Sequence, residues 1–444
     1  MPIDYVSFNL LLNNALEVLK NWWWLILPFI FWRPFLFLYF WWRLDAFLAK
    51  QKPVLLEIRL PKEIRKPIRA MEVVLSGVHA AIYQPPDFWE KWIDGQVQLS
   101  LAIELVSIDG QTHFFIRTPS QYRDAVEASF YSQYPEIEII EVDDYTKRIP
   151  QNIPNKEWDL FGCDYKLMRE DYYPIKTYAE FETEREKEDE KIVDPVAALL
   201  EGMSKIKKGE QLWIQFLIEP VGDVDMQKSL GKWRKGGEKL RDKLARRPEP
   251  SSSDPSKPII QEAIEILISG PPPKEEKKVE KEIIPPEMKL TPGEREVLAA
   301  IERKMSKPIF QTTIRFIFLG KVDVWFKPNF RLVFSFFNQY ANSNLNALFP
   351  LGKTLTKVKK SVFFPFINAK FIYQRRKYLK TRRLFRRYVR RDSPFFPMPG
   401  GTFMLNTEEL ASLFHFPSER SAPAPGFPRI EVRKKGISPS LPTE

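Results

Sequence analysis

The chain has 444 residues, 68 Lys and Arg against 57 Asp and Glu, a net charge of +11, and 44% hydrophobic residues. That length accommodates two or three domains, and that apolar fraction supports a real core. A single cysteine, Cys163, excludes disulfide frameworks and cysteine-rich metal sites and agrees with a reducing compartment. His79, His113 and His415 stand far apart, so spacing assembles no zinc or iron site, and no cofactor is expected.

The positive charge is local. Between Lys353 and Arg391 there are fifteen Lys or Arg residues and no Asp or Glu, so the remainder sums to 11 minus 15, about −4.

Near the start, residues 5–20 place Phe8, Leu11, Leu12, Ala15, Leu16 and Leu19 at helical spacing, the pattern of an amphipathic or docking helix. Residues 22–42 follow as WWWLILPFIFWRPFLFLYFWW. At helical rise this run is about 30 Å long, enough for the hydrocarbon core of a bilayer. Trp22, Trp23 and Trp24 at one end and Trp41 and Trp42 at the other suit the two interfaces, and Arg33 is the one charge inside. The run therefore predicts a membrane anchor, as a single span or a re-entrant hairpin kinked at Pro28 and Pro34. Lys and Arg cluster after the run, which places the C-terminal body in the cytoplasm and the chain at the cell inner membrane.

Past the anchor, 54–61 and 70–82 are apolar and partly alternating, and 87–96 reads as a connector. Residues 98–110 and 111–119 alternate around Asp109-Gly110, a hairpin signal; 120–135 has helical periodicity and ends at Pro135; 136–145 returns as a strand. A second, looser unit has strands at 209–221 and 310–322 and a helix at 291–306, opened by Thr291, Pro292 and Glu294. The expected fold class is α+β, membrane-anchored, built of ferredoxin-like modules with an antiparallel sheet and helices on one face.

The expected boundaries are an anchor at 1–50, a first module at 51–180, a charged linker at 181–208 and a second module at 209–350. Residues 222–290, rich in Lys, Glu, Pro, Ser and Gly, form a disordered insertion with a short basic helix near 225–245. An aromatic helix at 329–350 leads into a basic aromatic segment at 351–392, then a turn, strand and capped helix at 393–418, and a Pro-rich tail at 419–444.

Gly352-Lys353-Thr354 lacks the preceding glycine and strand of a phosphate-binding loop, and no catalytic constellation stands out, so no enzymatic activity is expected. Residues 370–391 interleave Phe371, Tyr378, Phe385 and Tyr388 with Arg375, Arg376, Lys377, Lys380, Arg382, Arg383, Arg386, Arg387, Arg390 and Arg391. This mixture suits an anionic lipid surface, a nucleic acid, or a long element whose arginines pair within its own domain.

In 404–418, Asn406 and Glu409 have capping-box spacing, and Leu410, Leu413 and Phe414 share a face. Glu408, Glu409, Leu413, Phe414 and His415 are the candidate residues for docking a partner.

The stretches FFIRTPSQYRDAVEASFYSQYPEIEIIEVDDY (114–145) and MLNTEELASLFHFPS (404–418), preceded by a Trp/Phe-rich run, resemble the membrane-proximal region of bacterial type IV secretion and conjugative DNA-transfer ATPases of the TraG-like coupling class. The resemblance runs to about residue 425, where in such proteins a Walker-motif ATPase would begin. It implies a non-enzymatic scaffold for a transfer assembly, homo-oligomeric, partnered by a separately encoded ATPase and in reach of DNA. A membrane-tethered nucleic-acid-binding or lipid-binding protein is the alternative.

Overall fold

A computed structural model describes residues 17, 20, 21, 27–61, 64, 66–183, 194–222, 230–247, 290–358, 369–392 and 401–417. The chain divides into two compact units, residues 1–53 with 84–99, and 54–83 with 100–444.

The first unit is built on helix α1 (Leu27–Lys50), with a π-helical turn at Glu90–Asp94. The Phe40 ring meets Trp92 at 4.0 Å, and Arg43 pairs with Asp94 at 3.8 Å. Elsewhere on α1, Phe31, Phe35, Leu38, Trp41 and Trp42 are exposed. Among the described residues no helix is long and apolar enough to cross a membrane, and this overturns the membrane-anchored fold class. The reason is compositional. Arg33 and Arg43 both lie in α1, Pro34 interrupts its hydrogen bonds, and Trp32, Tyr39, Trp41 and Trp42 carry rings that favour an interface over hydrocarbon. Trp22, Trp23 and Trp24, and most of the expected 5–20 helix, lie outside the described residues.

The second unit is α+β with an antiparallel sheet. Its strands are β1 (Pro53–Arg59), β2 (Leu101–Ile108), β3 (Gln111–Pro119), β4 (Glu138–Glu141), β5 (Trp158–Leu167), β6 (Glu210–Val221), β7 (Ile309–Lys321), β8 (Leu348–Pro350) and β9 (Phe403–Asn406). They run in the order β4-β1-β3-β2-β6-β7-β5-β8, with β9 on β7. The β2–β3 hairpin turns at Asp109 and Gly110, both left-handed (φ 54° and 85°), as a two-residue turn between twisted strands requires. Instead of two modules there is one continuous sheet: β5, from the first expected module, lies between β7 and β8 of the second.

The helices are α2 (Ile68–Ile82), α3 (Arg123–Gln133), α4 (Tyr178–Thr183), α5 (Pro195–Ser204), α6 (Leu230–Leu244), α7 (Pro292–Ser306), α8 (Arg331–Asn338), α9 (Lys370–Arg390) and α10 (Thr407–Leu413). Residues 70–82, partly alternating in sequence, are helical: Met71, Val74, Leu75, Val78 and Ile82 recur at 3.6-residue spacing and are buried. Thr291 and Glu294 form the capping box that opens α7. The expected 329–350 helix shortens to α8 and gives way to β8. Within the expected disordered insertion, 230–244 is the basic helix α6, and 248–289 lie outside the described residues.

Strand periodicity sorts the core into two layers. Leu101, Ile103 and Leu105 of β2, Leu212, Ile214, Phe216 and Ile218 of β6, and Ile314, Phe316 and Phe318 of β7 point to the larger layer, with α2, α5, α8 and α10. Val106, Trp213, Ile317, Leu319 and Leu160 point the other way, onto Leu384, Phe385 and Tyr388 of α9. Helices thus cover both faces, where one was expected, because α9 carries its own apolar stripe. Gly162 of β5 permits its approach: a Cβ there would lie 2.3 Å from the Phe316 carbonyl and 3.1 Å from Leu384.

Candidate polyanion interface

On the α9 side of the sheet, four adjacent strands carry a polar residue at one register. Glu104 of β2 lies opposite Gln215 of β6, Gln215 opposite Arg315 of β7, and Arg315 opposite Asp164 of β5. All four are buried. Buried polar groups need partners, and this rung supplies its own. Gln215 Nε2 donates to Glu104 at 2.7 Å, and Arg315 donates to Gln215 at 3.1 Å and to Asp164 at 2.7 Å.

The last turn of α9 completes the rung. Arg387 donates to Asp164 at 2.7 Å. Arg391 forks onto Glu104 at 2.9 and 3.1 Å and onto Asp144. Arg315 donates to the carbonyls of Arg387 and Asp392, both at 2.9 Å, so a sheet arginine satisfies groups that a helix C-terminus leaves open. Tyr145 donates to Glu104 and accepts from Tyr388, each at 2.9 Å. Burial pulls Asp164 upward, yet Arg315 and Arg387 together hold its carboxyl below the ordinary range. Asp144 is likewise lowered, burial being outweighed by Arg391. Burial pushes both tyrosine hydroxyls up and keeps them neutral. Arg391 adopts a left-handed conformation (φ 57°) at the helix end, a place usually taken by glycine.

The rest of α9 faces outward. Arg375, Arg376, Arg383, Arg386 and Arg390 are exposed, and Lys377, Lys380, Arg382 and Arg387 are half-buried. Lys377 pairs with Asp159 at 3.2 Å, Lys380 donates to the Leu355 carbonyl at 3.0 Å, and Arg382 donates to the Tyr378 hydroxyl and lies over its ring. Arg376, Arg383, Arg386 and Arg390 recur seven, three and four residues apart, one stripe opposite the buried face. That stripe is about 20 Å long. The aromatic face expected on α9 divides: Phe385 and Tyr388 are in the core, while Phe371 is 72% exposed. The candidate cations therefore separate into an inward pair, Arg387 and Arg391, that serves the fold, and an outward row that serves no carboxylate of its own helix.

The expected docking residues lie in the interior. Strand β9 pairs with the start of β7, and Glu408, Glu409, Leu413, Phe414 and His415 are all buried. Glu409 accepts from Lys304 at 3.1 Å and from the Ile175 and Asn406 amides, both at 2.9 Å. Glu408 accepts from Thr177 and Lys307, both at 2.6 Å. His415 bonds Asp194 at 2.9 Å, and Phe414 packs edge-on against Phe114. Burial raises the Glu409 carboxyl, an effect that Lys304 only partly opposes. These side chains complete the core and are closed to an outside partner. Sequence showed their charge; it did not show that Lys304, Lys307 and Thr177, distant along the chain, would meet it.

His113 sits 2.6 Å from Glu57, and His79 lies against two backbone carbonyls. Among the described residues, no three His, Cys, Asp or Glu side chains converge closely enough to hold a metal ion. Among curated proteins none matches the chain. Residues 47–423 match the family described as Domain of unknown function (DUF8128), a span that takes in the whole described sheet with α9 and α10, and the chain belongs to that family.

Proposed function

We propose that the chain is a non-enzymatic scaffold subunit of a conjugation-like transfer assembly, and that it grips nucleic acid along the outward stripe of α9. The observation that carries the nucleic-acid part is the row Arg376, Arg383, Arg386 and Arg390 on a helix with no acidic residue, fixed to the sheet at one end. Guanidinium forks match phosphate oxygens bidentately, and displacement of counterions by such a row drives polyanion binding. The exposed Phe371 and Tyr378 add surfaces on which bases can stack.

The scaffold part rests on the resemblance carried by 114–145 and 404–418. The ATPase is a separate polypeptide in this reading, and it docks elsewhere than on the buried side chains of α10. Placement at the inner membrane then follows from the assembly, since among the described residues no helix is long and apolar enough to span a membrane.

The test is fluorescence anisotropy of a short labelled oligonucleotide over a range of salt concentrations. The wild-type chain should show steep salt dependence, and replacing Arg376, Arg383, Arg386 and Arg390 with Gln should reduce the slope of log K against log salt by about 3. Binding to phosphatidylserine vesicles without oligonucleotide affinity would overturn the reading in favour of a lipid surface.

A further inference from the structure

The outward stripe is useful only if α9 points in one direction, and the buried rung beneath it has the form of a clamp. Three carboxylates, Glu104, Asp144 and Asp164, gather around a rung that holds one arginine of its own, Arg315. Two further positive charges come from Arg387 and Arg391, one helical turn apart at the end of α9, and Arg117 of β3, which donates to the Arg390 carbonyl at 3.4 Å, lies within electrostatic reach of Glu104 and Asp144. Each buried carboxylate oxygen of Glu104 and Asp164 has a bonding partner in this arrangement. The sheet also captures the helix backbone, through Arg315 on two carbonyls and Gln215 on the Tyr388 carbonyl at 3.3 Å. Arg391 holds a left-handed backbone to reach its partners. By contrast, the first half of α9 buries no side chain: Phe371, Ile372 and Leu379 are exposed, and its ties to the body are Lys377 on Asp159 and Lys380 on the Leu355 carbonyl. The helix is held at one end and displayed at the other.

We infer that Glu104 and Asp164 are positioning residues for the α9 stripe: they fix the helix end so that the outward arginines form one rigid row, and nucleic-acid affinity depends on them although they touch no ligand. This rests on the nucleic-acid reading of α9. It separates two roles within one basic segment, arginines that bind and arginines that aim. Preorganisation of this kind acts by lowering the ordering that binding would otherwise require.

The experiment uses the full chain carrying Glu104→Gln and, separately, Arg391→Gly, with hydrogen exchange and oligonucleotide anisotropy measured on each. Glu104→Gln keeps every cation, so the clamp predicts faster amide exchange in 381–390 with β6 and β7 unchanged, and an affinity lower by about tenfold at an unchanged salt slope. Arg391→Gly relieves the left-handed backbone, so a purely local capping role predicts slower exchange in α9; the clamp predicts faster exchange. Unchanged α9 exchange in both variants overturns the inference, as does full affinity in Glu104→Gln with a loosened helix. If the wild-type chain has no oligonucleotide affinity while both variants loosen α9, the clamp stands and the nucleic-acid reading falls.

Discussion

Helix α9 and the 403–416 segment are both charged, both aromatic, and both conspicuous in the sequence, yet the fold uses them in opposite ways. In 403–416 every charge is turned inward, with Glu409 on Lys304 and Glu408 on Lys307. In α9 only Arg387 and Arg391 reach the buried carboxylates, and Arg375, Arg376, Arg383, Arg386 and Arg390 stay exposed. The difference teaches that what decides whether a charge is surface or core is the supply of counter-charges at the matching register. Lys304 and Lys307 lie just ahead of β7 and meet the β9–α10 turn; among the described residues no carboxylate pairs with Arg376, Arg383 or Arg386 where they point outward.

The sharpest way to break the comparison is Glu409→Ala. It leaves Lys304 buried without its partner and opens the α10 capping box, so the domain should lose about 3 to 5 kcal/mol, read by urea unfolding. Loss within the range of a surface ion pair would show that 403–416 is less committed to the core than its burial implies.

On the α9 side, Gly162→Ala should cost about 1 to 3 kcal/mol, because the added methyl group meets the Phe316 carbonyl and must lift Leu384 and the helix with it. Increased exchange should be confined to α9, β5 and the adjoining part of β7. A variant as stable as wild type would mean that the helix approaches the sheet less closely than described.

The smallest and most discriminating effect is with acid. Asp144 and Asp164 have folded-state values below the ordinary carboxylate range, so their contribution is complete above about pH 4 and is lost as pH falls through the lowered values. Glu409 is raised, so its contribution has the reverse sign, present at low pH and lost as pH rises through its folded value. Asp392, raised mainly by burial, behaves like Glu409 and offsets part of the α9 effect. Hydrogen exchange below about pH 4 should therefore release α9 before 403–416. Simultaneous release would show that the two sites do not titrate independently.

Local features were legible in the sequence wherever short-range geometry decides them. Asp109-Gly110 specified a turn, and Thr291/Glu294 and Asn406/Glu409 specified helix starts, each helix start realised with reciprocal hydrogen bonds. The single sheet was not legible, because the placement of β5 beside β7 depends on pairing partners about 150 residues apart along the chain. The polar rung left one trace, a Glu104, Gln215, Arg315 or Asp164 flanked by apolar residues in the middle of its strand. Only the cross-strand register shows that these four meet. Residues 22–42 misled because a run of aromatic residues reads as apolar, while tryptophan and tyrosine rings, with Arg33 inside the run and Arg43 directly after it, make a helix poorly suited to hydrocarbon.

The pairing of β9 with the beginning of β7 has a consequence for how the protein is made. Residues 309–312 remain an open ladder edge until 403–406 have left the ribosome, and the pocket that receives Phe414 and Phe416 stays vacant for as long. The nascent chain thus carries this open edge while residues 313–402 are synthesised, and the edge closes with the arrival of a strand that leads into a short, self-capped helix.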